Sequence, residues 1–185
     1  MQRNQRNFSI LRNNKPSIER INADKHLRIM GDFDCGLEEE MTVFFKNEAL
    51  NYDENGEGNT FLILHNNCKN QRTIIAYFTL KANIVKIKDE KYEGQIRIIP
   101  SLEIARLAID KDYQNKGYGK KIMKYIITLA NEIKEKIAIK YIIVFSVESA
   151  SDFYKEKFNF QELEVNKDTF SDSDNEGCKP LYIVI

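Results

Sequence analysis

From Leu37 to Leu50, apolar residues fall at Leu37, Met41, Phe44 and Phe45. That spacing predicts a helix. Glu38, Glu39 and Glu40 suit the positive end of its dipole, and Asp34 is placed to cap it. Asn51 to Thr60 holds Asn55-Gly56 and Gly58 and reads as a loop. Phe61–Leu64 is a short apolar run, the pattern of a buried strand, and Thr73–Leu80 is rich in β-branched and aromatic residues, a second strand. The polar stretch Asn66 to Gln71 turns the chain between them into a hairpin. Lys81 to Arg97 is not decisive: Ile84, Val85 and Ile87 are compatible with a longer strand, and Glu93-Gly94-Gln95 with a turn.

Leu102–Ile109 is a third strong strand. The clearest helix runs from Lys120 to Ile133, with Ile122, Ile126, Leu129, Ala130 and Ile133 on one face. Tyr141–Phe145 is almost continuously apolar, as in a strand covered on both faces. Ser149 or Ser151 is expected to cap a short helix that includes Phe153 and Tyr154. Phe158–Leu163 reads as a strand, Val165–Lys179 as a polar loop, and Leu181–Ile185 as a closing strand. Hairpin strands followed by alternating strands and helices give an α/β protein, with a mixed sheet and helices on its faces. No internal repeat is visible.

A chain of 185 residues fits one domain. Lys and Arg together number 28, as do Asp and Glu, so no global charge draws it to nucleic acid or membrane. Residues 1–18 carry Arg3, Arg6, Arg12 and Lys15 without an acid. They read as a basic tail ahead of a single domain over 19–185; a frayed end and an RNA-touching arm both remain open. Cys35, Cys68 and Cys178 lie too far apart in sequence for a zinc or redox motif, so a reducing, cytoplasmic setting is expected. The opening residues lack a signal-peptide core, and no apolar run approaches the ~20 residues of a membrane span. His26 and His65 have no partners that would make a triad, and no metal site is expected.

The strand Leu102–Ile109 runs through Asp110–Tyr113 into Gln114-Asn115-Lys116-Gly117-Tyr118-Gly119-Lys120 and then the long helix. The first N–H groups of a helix have no internal partner, and the dipole favours an anion beside them. Gly117 and Gly119 let backbone approach a phosphate without a Cβ in the way. Lys116, Lys120 and Lys121 add positive charge. Two glycines alone are as easily a helix cap. The string is neither a P-loop, for want of GK[ST], nor the dinucleotide fingerprint, for want of a third glycine.

The whole string resembles the signature of the GNAT superfamily of acetyltransferases, a strand followed by [QR]-x-x-G-x-[GA], here Gln114-x-x-Gly117-x-Gly119. A second family pattern, A-x-x-[LF]-Y after a strand, matches Ala150-Ser151-Asp152-Phe153-Tyr154. Its usual Gly-Phe ending is replaced by Phe158-Asn159-Phe160, one residue late and with Asn for Gly. The resemblance covers roughly residues 60–163. It implies the acyl-CoA N-acyltransferase fold, a mostly antiparallel sheet of about six to seven strands flanked by helices. It also implies acetyl-CoA as cosubstrate and an amine as acceptor. The loop Gln114 to Lys120 would hold the pyrophosphate, and the strand end Leu107, Ala108 and Ile109 the pantetheine arm. Tyr154 would be the acid that protonates the leaving thiolate. A backbone N–H near Ala108 or Ile109 would polarise the carbonyl.

The base is open. Strand alternation puts Glu103 on the face of Ala105 and Leu107, with Arg106 opposite. In the histone-modifying branch a glutamate at this place is the base; a solvated carboxylate at the sheet edge is the other reading, and Glu148 is a weaker candidate. Arg106 fits an acceptor phosphate or a structural pairing. Phe44 and Phe45 suit either the core or an acceptor pocket. A narrower resemblance, carried by Phe33-Asp34-Cys35-Gly36, Ile75–Leu80 and Pro100 before Ala105–Asp110, is to the GNAT toxins of toxin–antitoxin pairs. It implies aminoacyl-tRNA as acceptor, an antitoxin protein as partner, and no need for a base, because an esterified amino acid has a depressed amine pKa. Homodimers are common in the family. A protein amine, a small-molecule amine, and a non-catalytic acyl-CoA sensor are the alternatives.

Overall fold

The computed structural model describes residues 16–66, 71–89, 94–163 and 177–185. The basic segment up to residue 15, the tip of the first hairpin, Cys68 and most of the loop expected over Val165–Lys179 lie outside them. Among the described residues the elements in chain order are β1 (Ser17–Arg20), α1 (Ala23–Met30), α2 (Glu39–Asn47), α3 (Ala49–Glu54), β2 (Asn59–Asn66), β3 (Arg72–Asp89), β4 (Gln95–Ile109), α4 (Tyr118–Lys134), β5 (Tyr141–Ser146), α5 (Glu148–Phe158), β6 (Gln161–Glu162) and β7 (Lys179–Val184). One seven-stranded sheet has the order β1-β2-β3-β4-β5-β7-β6. All neighbours are antiparallel except β4 and β5, which α4 connects as a crossover. The α/β class and the mixed, mostly antiparallel sheet expected from the sequence are what the chain adopts.

Helices α4 and α5 bury Ile122, Met123, Ile126, Tyr154 and Phe158 in one cluster with Phe78, Leu80, Leu102, Ile104, Ile142 and Val144 of the sheet. A second cluster joins α1 to α3 to other sheet residues, with Phe33, Phe45 and Tyr77 at its centre. Phe45 stacks on Tyr77 at 4.5 Å, and Phe33 meets both edge-on at 4.9 and 5.4 Å. Fully burying each such ring contributes about 1.5–3 kcal/mol. The Tyr77 hydroxyl donates to the Met41 carbonyl at 2.7 Å, and burial raises its pKa far above the usual tyrosine value.

Several local readings change. The sheet takes in Ser17 and Ile18, so the ordered domain starts before the expected boundary at 18/19. β1 and α1 were not foreseen, although Asn22 caps α1 by accepting from the Lys25 amide at 3.2 Å. The helix expected over Leu37–Leu50 begins at Glu39 and breaks at Glu48, and Leu37 is fully exposed before it. Asp34 caps nothing there: its carboxylate accepts from the Gly36 amide at 2.8 Å and from Lys111 Nζ at 2.6 Å. α3 takes up part of the expected loop. The undecided stretch 81–97 continues the β3–β4 hairpin, with Gly94 at the turn in the left-handed region (φ 75°). Val147 precedes α5, so Ser149 and Ser151 lie inside that helix rather than capping it. Phe158 ends α5, and the strand expected after it shrinks to two residues. Asn159, standing where the family pattern has Gly, adopts the left-handed conformation (φ 58°) that Asn tolerates best after Gly.

Candidate active site

β4 and β5 pair in parallel only from Ser101–Tyr141 to Ile104–Val144, although β4 runs on to Ile109 and β5 to Ser146. Beyond that point they part, and the β4 edge from Ala105 to Ile109 opens onto a groove of about 350 Å³. Leu107, Ala108, Ile109, Gln114, Gly119 and Tyr154 line it, together with Phe153, Ser146 and Val147. A second hollow of about 410 Å³ continues from Ile109, Gln114, Gly119 and Phe153 across Asn115, Gly117, Tyr118 and Lys120. Nine of the ten residues expected to hold acetyl-CoA therefore border one continuous channel. Lys116 does not: its ammonium donates to the Asp112 carbonyl at 2.6 Å and lies 5.3 Å from the Tyr113 ring centre.

Backbone conformation builds the mouth of α4. Asn115 and Gly117 both have positive φ, 58° and 80°. The first internal bond of the helix runs from the Lys121 amide to the Gly117 carbonyl at 3.3 Å. No side chain caps the turn before it, so the amides of Tyr118, Gly119 and Lys120 face the hollow. At Gly119 a Cβ would meet the Phe153 ring at 3.2 Å and Ile109 at 3.4 Å, so the missing side chain lets α4 approach α5 and β4. Gln114 acts as a tie. Its Nε2 donates to the Cys35 carbonyl at 2.8 Å and to the Ile109 carbonyl at 3.0 Å, fixing the loop to the strand end and to the segment before α2. Free amides, a dipole and room for a diphosphate make this end of the channel fit the pyrophosphate of a coenzyme A thioester.

Tyr154 sits on α5 against the open ends of β4 and β5, 6% exposed, with Phe153 edge-on at 5.1 Å and Phe160 at 5.6 Å. Burial pushes its phenol well above the ordinary tyrosine pKa. It therefore carries its proton across the physiological range.

Glu103 is not brought to Tyr154. Between Thr79 and Leu80 the register shifts: Thr79 pairs with Arg106 and Leu80 with Ile104, leaving Ala105 as a bulge. One extra residue inverts the alternation, so Glu103 shares a face with Arg106, contrary to the expectation from spacing. It is 2% exposed, bound by Lys81 Nζ at 3.6 Å and by a short contact from Asn83, and it borders neither hollow. The sheet-edge reading also fails, since β4 is central. Glu148 pairs with Lys179 at 2.6 Å. Arg106 lies with its guanidinium carbon 4.9 Å from the Phe44 ring centre and donates to the Ala105 carbonyl at 2.8 Å, the structural alternative. Phe44 and Phe45 are both buried in the second core cluster, and Phe44 also walls a further cavity of about 460 Å³ beside Ala105 and Arg106. Cys35, Glu38 and Met41, which the sequence did not place at the site, line the groove from the α2 side. Nothing in their spacing announces it; tertiary packing alone brings them to β4. His26, expected to be incidental, is a fully buried partner of the α1 cap, accepting from the Asn22 amide at 3.0 Å.

Among the described residues no group of His, Cys, Asp and Glu is arranged to hold a metal ion, and no helix is long and apolar enough to cross a membrane.

Comparison with known proteins places this geometry. No curated protein matches the sequence significantly. Solved structures do match the fold. A tyrosine-to-phenylalanine mutant of the toxin AtaT, bound to the C-terminus of the antitoxin AtaR and acetyl-CoA, superposes with a TM-score of 0.72 at 22% identity, over 92% of this chain and 93% of that one. A tyrosine-to-phenylalanine mutant of KacT gives 0.71 at 18% identity, over 92% and 95%. AtaT complexed with acetyl-methionyl-tRNAfMet gives 0.69 at 18% identity, over 92% and 95%. At such identities the likeness is one of fold. The family model described as acetyltransferase (GNAT) domain matches residues 59–162, more than half the chain and the part that holds the splayed strands, the α4 mouth and Tyr154. The chain therefore belongs to the GNAT family of acetyl-CoA-dependent N-acetyltransferases.

Proposed function

We propose that the chain transfers the acetyl group of acetyl-CoA to the α-amine of aminoacyl-tRNA in the cytoplasm, and that an antitoxin protein restrains it. The observation that carries the transfer is the channel that runs from the uncapped α4 mouth, along the open β4 edge, to Tyr154. The acceptor and partner are drawn from the likeness to AtaT, solved with acetyl-methionyl-tRNAfMet and, separately, with the antitoxin AtaR.

In this reading the amides of Tyr118, Gly119 and Lys120 hold the pyrophosphate, and the edge from Leu107 to Ile109 holds the pantetheine arm. A β4 amide near Ala108 or Ile109 polarises the thioester carbonyl. The neutral amine attacks that carbonyl, a C–N bond forms and the C–S bond breaks. The thiolate takes the Tyr154 proton, and the proton shed by the amine later restores the phenol through solvent. Holding both reactants in the channel lowers the entropic part of the barrier. Glu103 is given no part in these steps, because it is buried, is engaged by Lys81 and Asn83, and borders neither hollow.

The test is label transfer from acetyl-labelled acetyl-CoA to aminoacylated tRNA, with deacylated tRNA as control. Acid-stable label on the aminoacyl group is expected with the charged tRNA alone. Binding of acetyl-CoA without transfer to any amine would make the protein a sensor and end the catalytic reading.

A further inference from the structure

Glu38 stands where two cavities meet, and we propose that its carboxylate draws in the acceptor as an ammonium and, once that group has shed a proton to solvent, accepts an N–H hydrogen bond from the neutral amine beside the acetyl thioester. This rests on the reading of the chain as an amine acetyltransferase and adds a residue that selects the acceptor.

The acetyl groove and the cavity walled by Phe44 share Glu38, Met41, Ala105, Arg106 and Val147 as lining. These five residues frame the opening through which an acceptor in the second cavity meets the bulged strand. Two of them are charged. The Arg106 guanidinium lies against the Phe44 ring and gives one N–H to the Ala105 carbonyl, and as a cation it does not attract an ammonium. Glu38 is exposed, and no cation pairs with its carboxylate among the described residues. The other carboxylates considered as reactive groups are taken: Glu103 by Lys81 and Asn83, Glu148 by Lys179.

The position of Glu38 is fixed by backbone. Its carbonyl accepts from Cys35 Sγ at 3.0 Å and from the Met41 amide at 3.1 Å. The Cys35 carbonyl in turn accepts from Gln114 at 2.8 Å. The loop that cradles the donor phosphates and the carboxylate at the acceptor opening are thus linked through three residues. Glu39, Glu40 and Glu48 line the second cavity only, so its interior is negative on balance and favours a cationic amine. An ammonium drawn to Glu38 enters with its nitrogen foremost, at the opening that Ala105 and Arg106 share between the two cavities.

The experiment uses the full chain and three probe amines: aminoacylated tRNA, spermidine and a lysine-containing peptide. Binding and turnover are measured for native protein and for Glu38→Gln, Glu38→Asp and Glu39→Gln. Glu38→Gln is expected to raise the acceptor KM about tenfold, equivalent to ~1.4 kcal/mol, with the acetyl-CoA KM and Tm unchanged. Glu38→Asp should recover part of the loss, and Glu39→Gln should stay within about twofold of native. An acceptor KM that Glu38→Gln leaves in place, or an equal loss from Glu39→Gln, overturns the assignment while the catalytic reading stands. A native protein that binds none of the three amines overturns both.

Discussion

Helices α1 and α4 each follow a strand in the chain, α4 after the loop from Asp110 to Gly117, and their first turns are finished in opposite ways. At α1 the Asn22 side chain accepts from the Lys25 amide, and the Asn22 amide donates to the buried His26 ring. At α4 the capping position is Gly117, which has no side chain, and the following amides face a hollow. Every helix begins with the same deficit of unpaired N–H groups. Where the chain meets it with its own side chains the result is stability. Where it leaves it open, the amides stay available to a ligand. Substitutions in the open region should therefore affect activity with little loss of stability, and substitutions in the closed region the reverse.

Tyr154→Phe tests the open region hardest. It removes the proton donor without changing the packing of the ring, so kcat is expected to fall about 10²–10⁴-fold, with Tm held; steady-state thiol release and a thermal melt measure both. Unchanged kcat would remove Tyr154 from the reaction. Because its phenol titrates well above the usual value, the native enzyme should show no loss of rate from Tyr154 up to pH ~10. Gly117→Val comes next. It forces a β-branched residue to φ 80°, a strain of about 1–3 kcal/mol, and the turn relieves it by moving its amides. Acetyl-CoA affinity by calorimetry is expected to drop at least ~10-fold. Retained affinity would show that the phosphates lie elsewhere.

In the closed region, Asn22→Ala should cost about 1 kcal/mol of stability, read as a lower denaturation midpoint, and leave kcat/KM unchanged. The smallest effect concerns pH. Burial depresses the His26 pKa, with Glu19 working against it, so the folded state binds fewer protons than the unfolded chain. Stability from this group is complete above its unfolded value of ~6.5 and is lost as pH falls through the depressed folded value. The slope of Tm against pH below ~6.5 should flatten in His26→Gln. A slope identical to native would assign the acid sensitivity to other groups.

How far the sequence could be read followed the physics of each element. Long periodic segments such as Lys120–Ile133 and the run Tyr141–Phe145 were legible because one face, or both, must be buried. The glycine loop was legible because only glycine tolerates the required backbone so freely. Residues 17–30 escaped because β1 is a short, mostly exposed edge strand and α1 has just two turns. Asp34 misled because a capping residue type also serves in a turn, here with Gly36 and Lys111.

The sequence by itself determined the class of fold, the family and the glycine turn at the α4 mouth, since periodicity and local backbone demands are written residue by residue. Only the tertiary structure decided which face Glu103 occupies, that the Gln114 side chain ties the loop to Cys35 and Ile109, and that Glu38 reaches the groove. A bulge at Ala105 has no signature in the residue itself; it exists because β3 and β4 must keep hydrophobic faces matched on both sides of one offset in their pairing.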